Sequence, residues 1–324
     1  MDFYLAELEK ELIGHRIPNE PVSIYDPVRY TLSLGGKRIR PVLCYLACGM
    51  TGGAINLAKD AAIAVEMLHN FTLIHDDIMD NAETRRGKPS VFKKWDSNTA
   101  ILSGDVLFTL ALEQLAFYQT KPFPSPIYPA LMNEFLKATR IVCDGQALDM
   151  EFEKRTDVSL DQYLLMISQK TARLLSCSLK MGGLIGEGSP EQIQALYQIG
   201  FLAGIAFQIQ DDLLDAFGDP NKFGKKVGGD IREGKKTFLS ISALNKASEF
   251  QKDRIQAVLD KKSASDEEIE EILSIYTSLN IHIDTVQTVN EYYISAMKEL
   301  AIFPNSPFKK SLITFLDQLN TRLF

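Results

Sequence analysis

The sequence predicts an all-α protein, and three observations predict it. Apolar residues recur at three- and four-residue spacing, as in Met67, Phe71, Ile74 and Ile78, which places them on one helical face. Sustained alternation of the strand type is hard to find. Breaks are few and concentrated: KPFPSPIYP at 121–129, the glycine- and lysine-rich stretch from Gly218 to Lys236, and FPNSPF at 303–308. Proline forbids a regular helix in the first of these.

At 324 residues and 45 % hydrophobic the chain can bury a large core. A single domain over residues 1–324 is expected, because candidate ligand residues fall on both sides of the 121–129 break. The net charge of −7 argues against a nucleic-acid binder, which needs a basic face. The opening segment, MDFYLAELEKELIGHRIP, lacks the basic start and apolar run of a signal peptide. No stretch reaches the ~18 uninterrupted apolar residues of a membrane span. Cys44, Cys48, Cys143 and Cys177 form no CxxC pair, so buried thiols in a reducing compartment, and no structural zinc, are expected. The expected location is the cytoplasm.

The first functional signal is Gly35-Gly36-Lys37-Arg38-Ile39-Arg40-Pro41, a cationic motif. Next comes LAKDAAIAVEMLHNFTLIHDDIMD, a helical run that ends in Asp76, Asp77 and Asp80. At 1.5 Å per residue, Asp76 and Asp80 lie on one face about 6 Å apart along the axis. Like charges so placed repel unless a cation sits between them. Arg85-Arg86-Gly87 follows directly.

A second copy of the acidic pattern, Asp211, Asp212 and Asp215, ends the apolar run FLAGIAFQIQDDLLDAF. Gly204, Gln208, Asp211 and Asp215 share one stripe. Two carboxylate clusters at the ends of core helices suit a shared site for hard cations such as Mg²⁺, which keep several waters and bridge to phosphate oxygens. An EF-hand is excluded, since its loop pattern is missing. Basic residues from Lys225 to Lys235 follow this motif as well. Arginine forks and lysine point charges beside metal-binding acids imply a diphosphate ligand. GDIREGKK at 229–236 nearly spells a P-loop, yet Lys236 occupies the Ser/Thr position and no strand leads into it, so nucleotide hydrolysis is a poor reading.

From GGKRIRP to about Thr237 the sequence resembles the trans-prenyl diphosphate synthases, the family of farnesyl and geranylgeranyl diphosphate synthases. The resemblance implies a single large helical bundle around a deep central cavity (the isoprenoid synthase fold), a homodimer, and three Mg²⁺ ions with substrate bound. It also implies direct Mg²⁺ ligation by Asp76, Asp80 and Asp211, with Asp77, Asp212 and Asp215 supporting through water or hydrogen bonds. Arg85, Lys170, Lys225 and Lys235 match the contacts to an allylic diphosphate. Lys37, Arg40, His69 and Arg86 match the site for isopentenyl diphosphate, and Thr171 and Gln208 match polar groups near the reacting carbons. His75 matches a residue that orients the aspartates. The C-terminal NTRLF lacks the basic run of some relatives, with Arg322 a partial substitute.

The implied enzyme is a prenyltransferase that releases pyrophosphate. Leu68 and Thr72 share the stripe of Asp76 and Asp80 and should line the path of the growing chain, with Phe71 as its floor. One aromatic there resembles the archaeal-type geranylgeranyl synthases, so a twenty-carbon product is expected and a fifteen-carbon one is the alternative. A class I terpene cyclase and a non-catalytic partner subunit are the rival readings. The cyclase would not need Lys37, Arg40 and Arg86, and partner subunits usually lose an acidic cluster.

Overall fold

The computed structural model describes residues 17–120, 126–218 and 227–320 continuously, with positions 5, 6, 8–10, 12 and 123. Lys225 and Arg322 lie outside the described residues. The helices are α1 Val22–Ser33, α2 Ile39–Met50, α3 Lys59–Met79, α4 Val91–Lys94, α5 Ser97–Ala116, α6 Tyr128–Phe152, α7 Leu160–Ile167 and α8 Arg173–Ile185. They continue with α9 Pro190–Phe217, α10 Gly229–Glu233, α11 Phe238–Lys246, α12 Glu249–Asp260, α13 Asp266–Ser278, α14 Ile281–Glu299 and α15 Pro307–Asn320. The all-α expectation holds. Its one exception among the described residues is a hairpin of β1 Thr84–Arg85 with β2 Lys88–Pro89, antiparallel and in register Thr84 with Pro89. Arg86 and Gly87 turn it, both at positive φ (53° and 73°), the signs a two-residue type I′ turn requires.

The helix starts follow local chemistry. Asp96 accepts a hydrogen bond from the Thr99 N–H at 2.9 Å and caps α5. Ser159, Thr237, Ser248 and Ser265 each open a helix through a reciprocal capping box, an arrangement in which the cap is worth about 1 kcal/mol. Proline begins α9 and α15, where its missing N–H costs nothing.

The chain folds as two compact units: Met1–Thr139, Cys177–Tyr197 and Phe303–Lys309 in one, Arg140–Ser176, Gln198–Ile302 and Lys310–Phe324 in the other. At the centre of the first, α3 is buried nearly all round, from Ala61 to Leu68 and again at Asn70, Ile74 and Asp77. Its broadest packing is on α5, and α2 covers another side. Ser97–Gln119 is the one helical stretch among the described residues long and apolar enough to cross a membrane by length and composition. It packs on α1 and α3 through Ala100, Ser103, Gly104, Leu107 and Ala111.

In the second unit, α7 passes into a π-helical turn at Ser168–Ala172 before α8 begins. Such turns interrupt the regular ladder and often mark functional positions. Glycines admit the turn's backbone from two sides. A Cβ on Gly145 of α6 would sit 2.3 Å from the Lys170 nitrogen, and one on Gly204 of α9 would sit 2.4 Å from the Ala172 Cα. Neither neighbour is a movable side-chain tip. Gly204→Ala is therefore expected to destabilise the protein by about 1–3 kcal/mol through overpacking, measured by urea denaturation; unchanged stability would show that the turn can shift at no cost.

Candidate active site

The first unit carries the loop that precedes α2, the end of α3 and the hairpin. Gly35, Gly36 and Arg38 all hold positive φ (73°, 138° and 46°). Arg38 was not singled out in the sequence, yet it fixes this loop. The residue is 4 % exposed, and its guanidinium pairs with Glu66 at 2.8 Å and Glu9 at 2.7 Å and donates to the Leu32 carbonyl at 2.7 Å. Losing one partner of such a buried pair costs about 3–5 kcal/mol. The anchored loop sets the exposed Lys37 at its rim and Arg40 in the first turn of α2.

Arg40, His69, Arg85 and Arg86 act electrostatically on one another. Burial, opposed by Glu66 and reinforced by Arg86, lowers the Arg40 pKa to about 10, so its guanidinium stays charged near neutrality. Arg40 Nε is buried with no hydrogen-bond partner among the described residues. Burial first, and then Arg40, Arg86, Arg85 and Arg38, hold the His69 imidazole well below its ordinary pKa and therefore neutral. Arg86 donates to the Gly35 carbonyl. A Cβ on Gly36 would lie 2.8 Å from that guanidinium, so only glycine lets the fork lie over the loop.

Asp76 and Asp77 sit in the last turn of α3 and Asp80 is its C-cap, with its N–H on the Asp76 carbonyl at 2.8 Å. Asp76 is half-buried and Asp80 exposed. Asp77 is 3 % exposed and takes the Arg85 Nε at 2.9 Å. Its pKa is still raised, because desolvation outweighs Arg85. His75 does not orient these acids. Its ring lies against α5, with Nε2 3.2 Å from the Ile101 carbonyl and next to Gly104, whose missing Cβ makes the room. At position 75 the helix turns the ring away from the carboxylates of 76 and 80.

Below the acids, Leu68 is wholly buried, while Phe71 and Thr72 are half-buried. Thr72 donates back to the His69 carbonyl at 2.8 Å. Phe71 belongs to an aromatic row: its centroid is 5.4 Å from Phe108 of α5, which lies 6.4 Å from Phe135 of α6. Helical spacing within α3 gives no hint of these two partners.

In the second unit, Asp211, Asp212 and Asp215 lie near the end of α9. Asp212 is 6 % exposed and accepts from the Tyr163 hydroxyl at 2.5 Å, the Phe238 N–H at 3.1 Å and the Gln208 amide at 3.2 Å. The same Gln208 accepts from the Thr171 hydroxyl at 2.9 Å, so the two polar residues form one chain that ends on Asp212. Lys170, inside the π-turn, pairs with Asp149 at 2.5 Å. Asp215 is gripped by the start of α10: its carbonyl takes the Gly228 N–H at 2.7 Å and its carboxylate the Asp230 N–H at 2.9 Å. Lys235 lies 2.8 Å from Glu233 and 3.6 Å from Asp230. The segment resembling a P-loop is thus the brace of the second motif, and no strand among the described residues leads into it. Tyr163, Asp149 and Asp230 went unnoticed in the sequence. Tyr163 stands 49 positions from its partner, beyond any local spacing rule.

Burial raises Asp212 to about 6, against three hydrogen bonds that lower it, and raises Asp230 to about 7, helped by Asp212 and Asp215. The two titrate as a pair. Between about pH 4 and about pH 7 these two carboxyls bind more protons in the folded state than in the unfolded chain, so their contribution to stability falls as pH rises through that window. The expected outcome, in chelator, is a melting temperature that falls more steeply between about pH 4 and about pH 7 in the unaltered protein than in Asp230→Asn. Parallel slopes would refute this linkage.

All the acidic candidates offer carboxylate oxygens, and among the described residues no three His, Cys, Asp or Glu side chains close into a cage. Such a set fits Mg²⁺, which takes one or two carboxylates and completes its shell with water and phosphate oxygens.

Comparison with known proteins places these features in a family. The polyprenyl synthetase family model matches residues 21–276. The geranylgeranyl diphosphate synthase of Saccharolobus solfataricus is 39 % identical over 285 residues, which cover 87 % of this chain and 85 % of the relative. The short chain isoprenyl diphosphate synthase of Methanocaldococcus jannaschii is 42 % identical over 252 residues, covering 78 % and 76 %. The crystal structure of geranylgeranyl pyrophosphate synthetase from Pyrococcus horikoshii superposes with a TM-score of 0.92 at 36 % identity, over 98 % and 96 % of the two chains. With its helical architecture, its two aspartate-rich helix ends and a family match over most of its length, the chain belongs to the polyprenyl synthetase family.

Proposed function

We propose that the protein is a short-chain prenyl diphosphate synthase that joins isopentenyl diphosphate to an allylic diphosphate and gives geranylgeranyl diphosphate. The observation that carries this reading is the group of Arg40, Arg85 and Arg86 around the neutral His69. Three guanidinium groups repel one another, and Arg40 has a buried donor for which the described chain offers no acceptor. An anionic ligand with several oxygens answers both needs. Relatives named for geranylgeranyl and short-chain isoprenyl diphosphate synthesis support the substrate class.

In this reading Lys37, Arg40, His69 and Arg86 hold isopentenyl diphosphate. Arg85, Lys170, Lys225 and Lys235 hold the allylic diphosphate. Asp76, Asp80 and Asp211 are proposed as direct Mg²⁺ donors; Asp77, Asp212 and Asp215 support them through water or hydrogen bonds. When bound, Mg²⁺ supplies positive charge to the pyrophosphate leaving group. The chemistry breaks the allylic C1–O bond, forms a bond from C1 to the terminal alkene carbon of isopentenyl diphosphate, and expels a proton to the departing pyrophosphate. Rate comes from charges positioned before the bond breaks and from holding the alkene against the cation. Thr171 and Gln208 place hydroxyl and amide dipoles near that cation, and neutral His69 adds no positive charge to oppose it.

The apolar row of Phe71, Phe108 and Phe135 is the proposed floor for the growing chain, with Leu68 and Thr72 along its wall. A second copy of the chain is the proposed partner, since α5 leaves Ile101 and Leu102 exposed at 44 % and 48 %.

Purified protein with Mg²⁺, labelled isopentenyl diphosphate and dimethylallyl, geranyl or farnesyl diphosphate should give label in a twenty-carbon diphosphate. A cyclic hydrocarbon without label would instead indicate a terpene cyclase. Phe71→Ala should lengthen the product by one or more five-carbon units, read by chromatography after dephosphorylation; an unchanged distribution would remove Phe71 from the floor.

A further inference from the structure

Beneath the hairpin that carries Arg85 and Arg86 lies a small cavity in the first unit, with a volume of about 10 Å³ open to a water-sized sphere. Its lining includes Thr31 of α1, Asn70 of α3, and Ser90, the residue that follows β2 and precedes α4, together with Asp77 and Arg85. Thr31, Asn70 and Ser90 are 5 %, 0 % and 1 % exposed. Thr31 Oγ1, Asn70 Oδ1 and Ser90 Oγ have no hydrogen-bond partner among the described residues. One orphaned buried polar atom costs about 1–3 kcal/mol. Three around one cavity call for a shared ligand.

The orientation of Asn70 narrows the choice. Its Nδ2 donates to the Glu66 carbonyl at 2.8 Å and to the Glu66 carboxylate at 3.2 Å, and that carboxylate is itself held by Arg38. The amide is therefore fixed with its oxygen as the remaining acceptor. A hydroxyl can donate or accept. The amide oxygen can take either a donated proton or a cation, and Arg85 and Arg86, which also line the cavity, oppose added positive charge. A neutral ligand here gives a proton to Asn70 and can take protons from Thr31 and Ser90. The volume matches one water, which needs about 10–15 Å³ and two to four polar partners.

We propose that a single buried water, bonded to Thr31, Asn70 and Ser90, locks the Arg85–Arg86 hairpin onto α1 and α3. Three elements then meet at one point under the hairpin. The tie adds to the direct bonds at its rim, Ser90 N–H to the Glu83 carbonyl at 2.9 Å and Tyr30 hydroxyl to the Pro89 carbonyl at 2.8 Å. Thr31, Asn70 and Ser90 are positioning residues, and their consequence for catalysis rests on the diphosphate roles proposed for Arg85 and Arg86.

A crystal structure of the full chain at a resolution that orders water should place one density peak within about 3.2 Å of all three atoms. Direct pairing of the hydroxyls with each other, or a metal ion at the site, would overturn the proposal. Amide hydrogen exchange over residues 84–90 tests the lock without any substrate. Thr31→Val and Ser90→Ala should each accelerate it several-fold, and the double variant no further, because either loss releases the same water. Independent, additive acceleration or no acceleration overturns the shared tie, while Thr31→Ser should keep the original rate. In elongation assays the single variants should raise KM for isopentenyl diphosphate several-fold with a smaller change in kcat. Failure to elongate by the unaltered protein would reject the synthase reading and leave the exchange test standing.

Discussion

The middle carboxylate of each acidic motif must be buried, and that constraint organises the residues around it. In a D-D-x-x-D run on a helix, the first and last acids share a face and the second points about 100° away. Asp77 and Asp212 therefore turn into protein at 3 % and 6 % exposure. A carboxylate taken out of water costs several kcal/mol unless it is paired. Asp77 meets this with Arg85, and Asp212 with a phenol, a backbone N–H and an amide. Those partners are not spectators. Arg85 is a candidate diphosphate contact, and Gln208 leads on to Thr171. Satisfying the buried acid thus orients Arg85 in one unit and the Gln208–Thr171 pair in the other.

The basic side of the site solves the opposite problem. Several arginines in one place repel, and burial together with their field depresses His69. Arg38 contributes to that field, yet its own charge is spent on Glu66 and Glu9. It acts as a mechanical anchor inside a motif that reads as uniformly ligand-binding. Arg40 keeps a buried Nε with no partner among the described residues, and Lys37, Arg85 and Arg86 are the other candidate ligand contacts of this unit.

The helical architecture was legible because periodicity and capping act within a few residues, and the repeated aspartate pattern was legible because helical geometry fixes its faces. The Thr171–Gln208 pair could be named as family positions, but only the fold joins them to Asp212 through a hydrogen-bond chain. Tyr163, Asp230, Phe108 and Phe135 depend on which helices pack together, which spacing along one helix does not encode. His75 was misread for the same reason: its neighbour in sequence is the first aspartate, whereas its neighbour in space is Gly104. The π-turn at Ser168–Ala172 has no local signature either; it is admitted by Gly145 and Gly204, 23 or more positions away on other helices.

The contact between Gly36 and the Arg86 guanidinium reaches further than its size suggests. Because the fork rests on bare backbone and bonds the Gly35 carbonyl, the tilt of one loop and the reach of one cation are a single mechanical variable. A side chain at position 36 would both strain a backbone held at a φ of 138° and push that fork aside, so one substitution in the loop would move a cation that lies far along the chain.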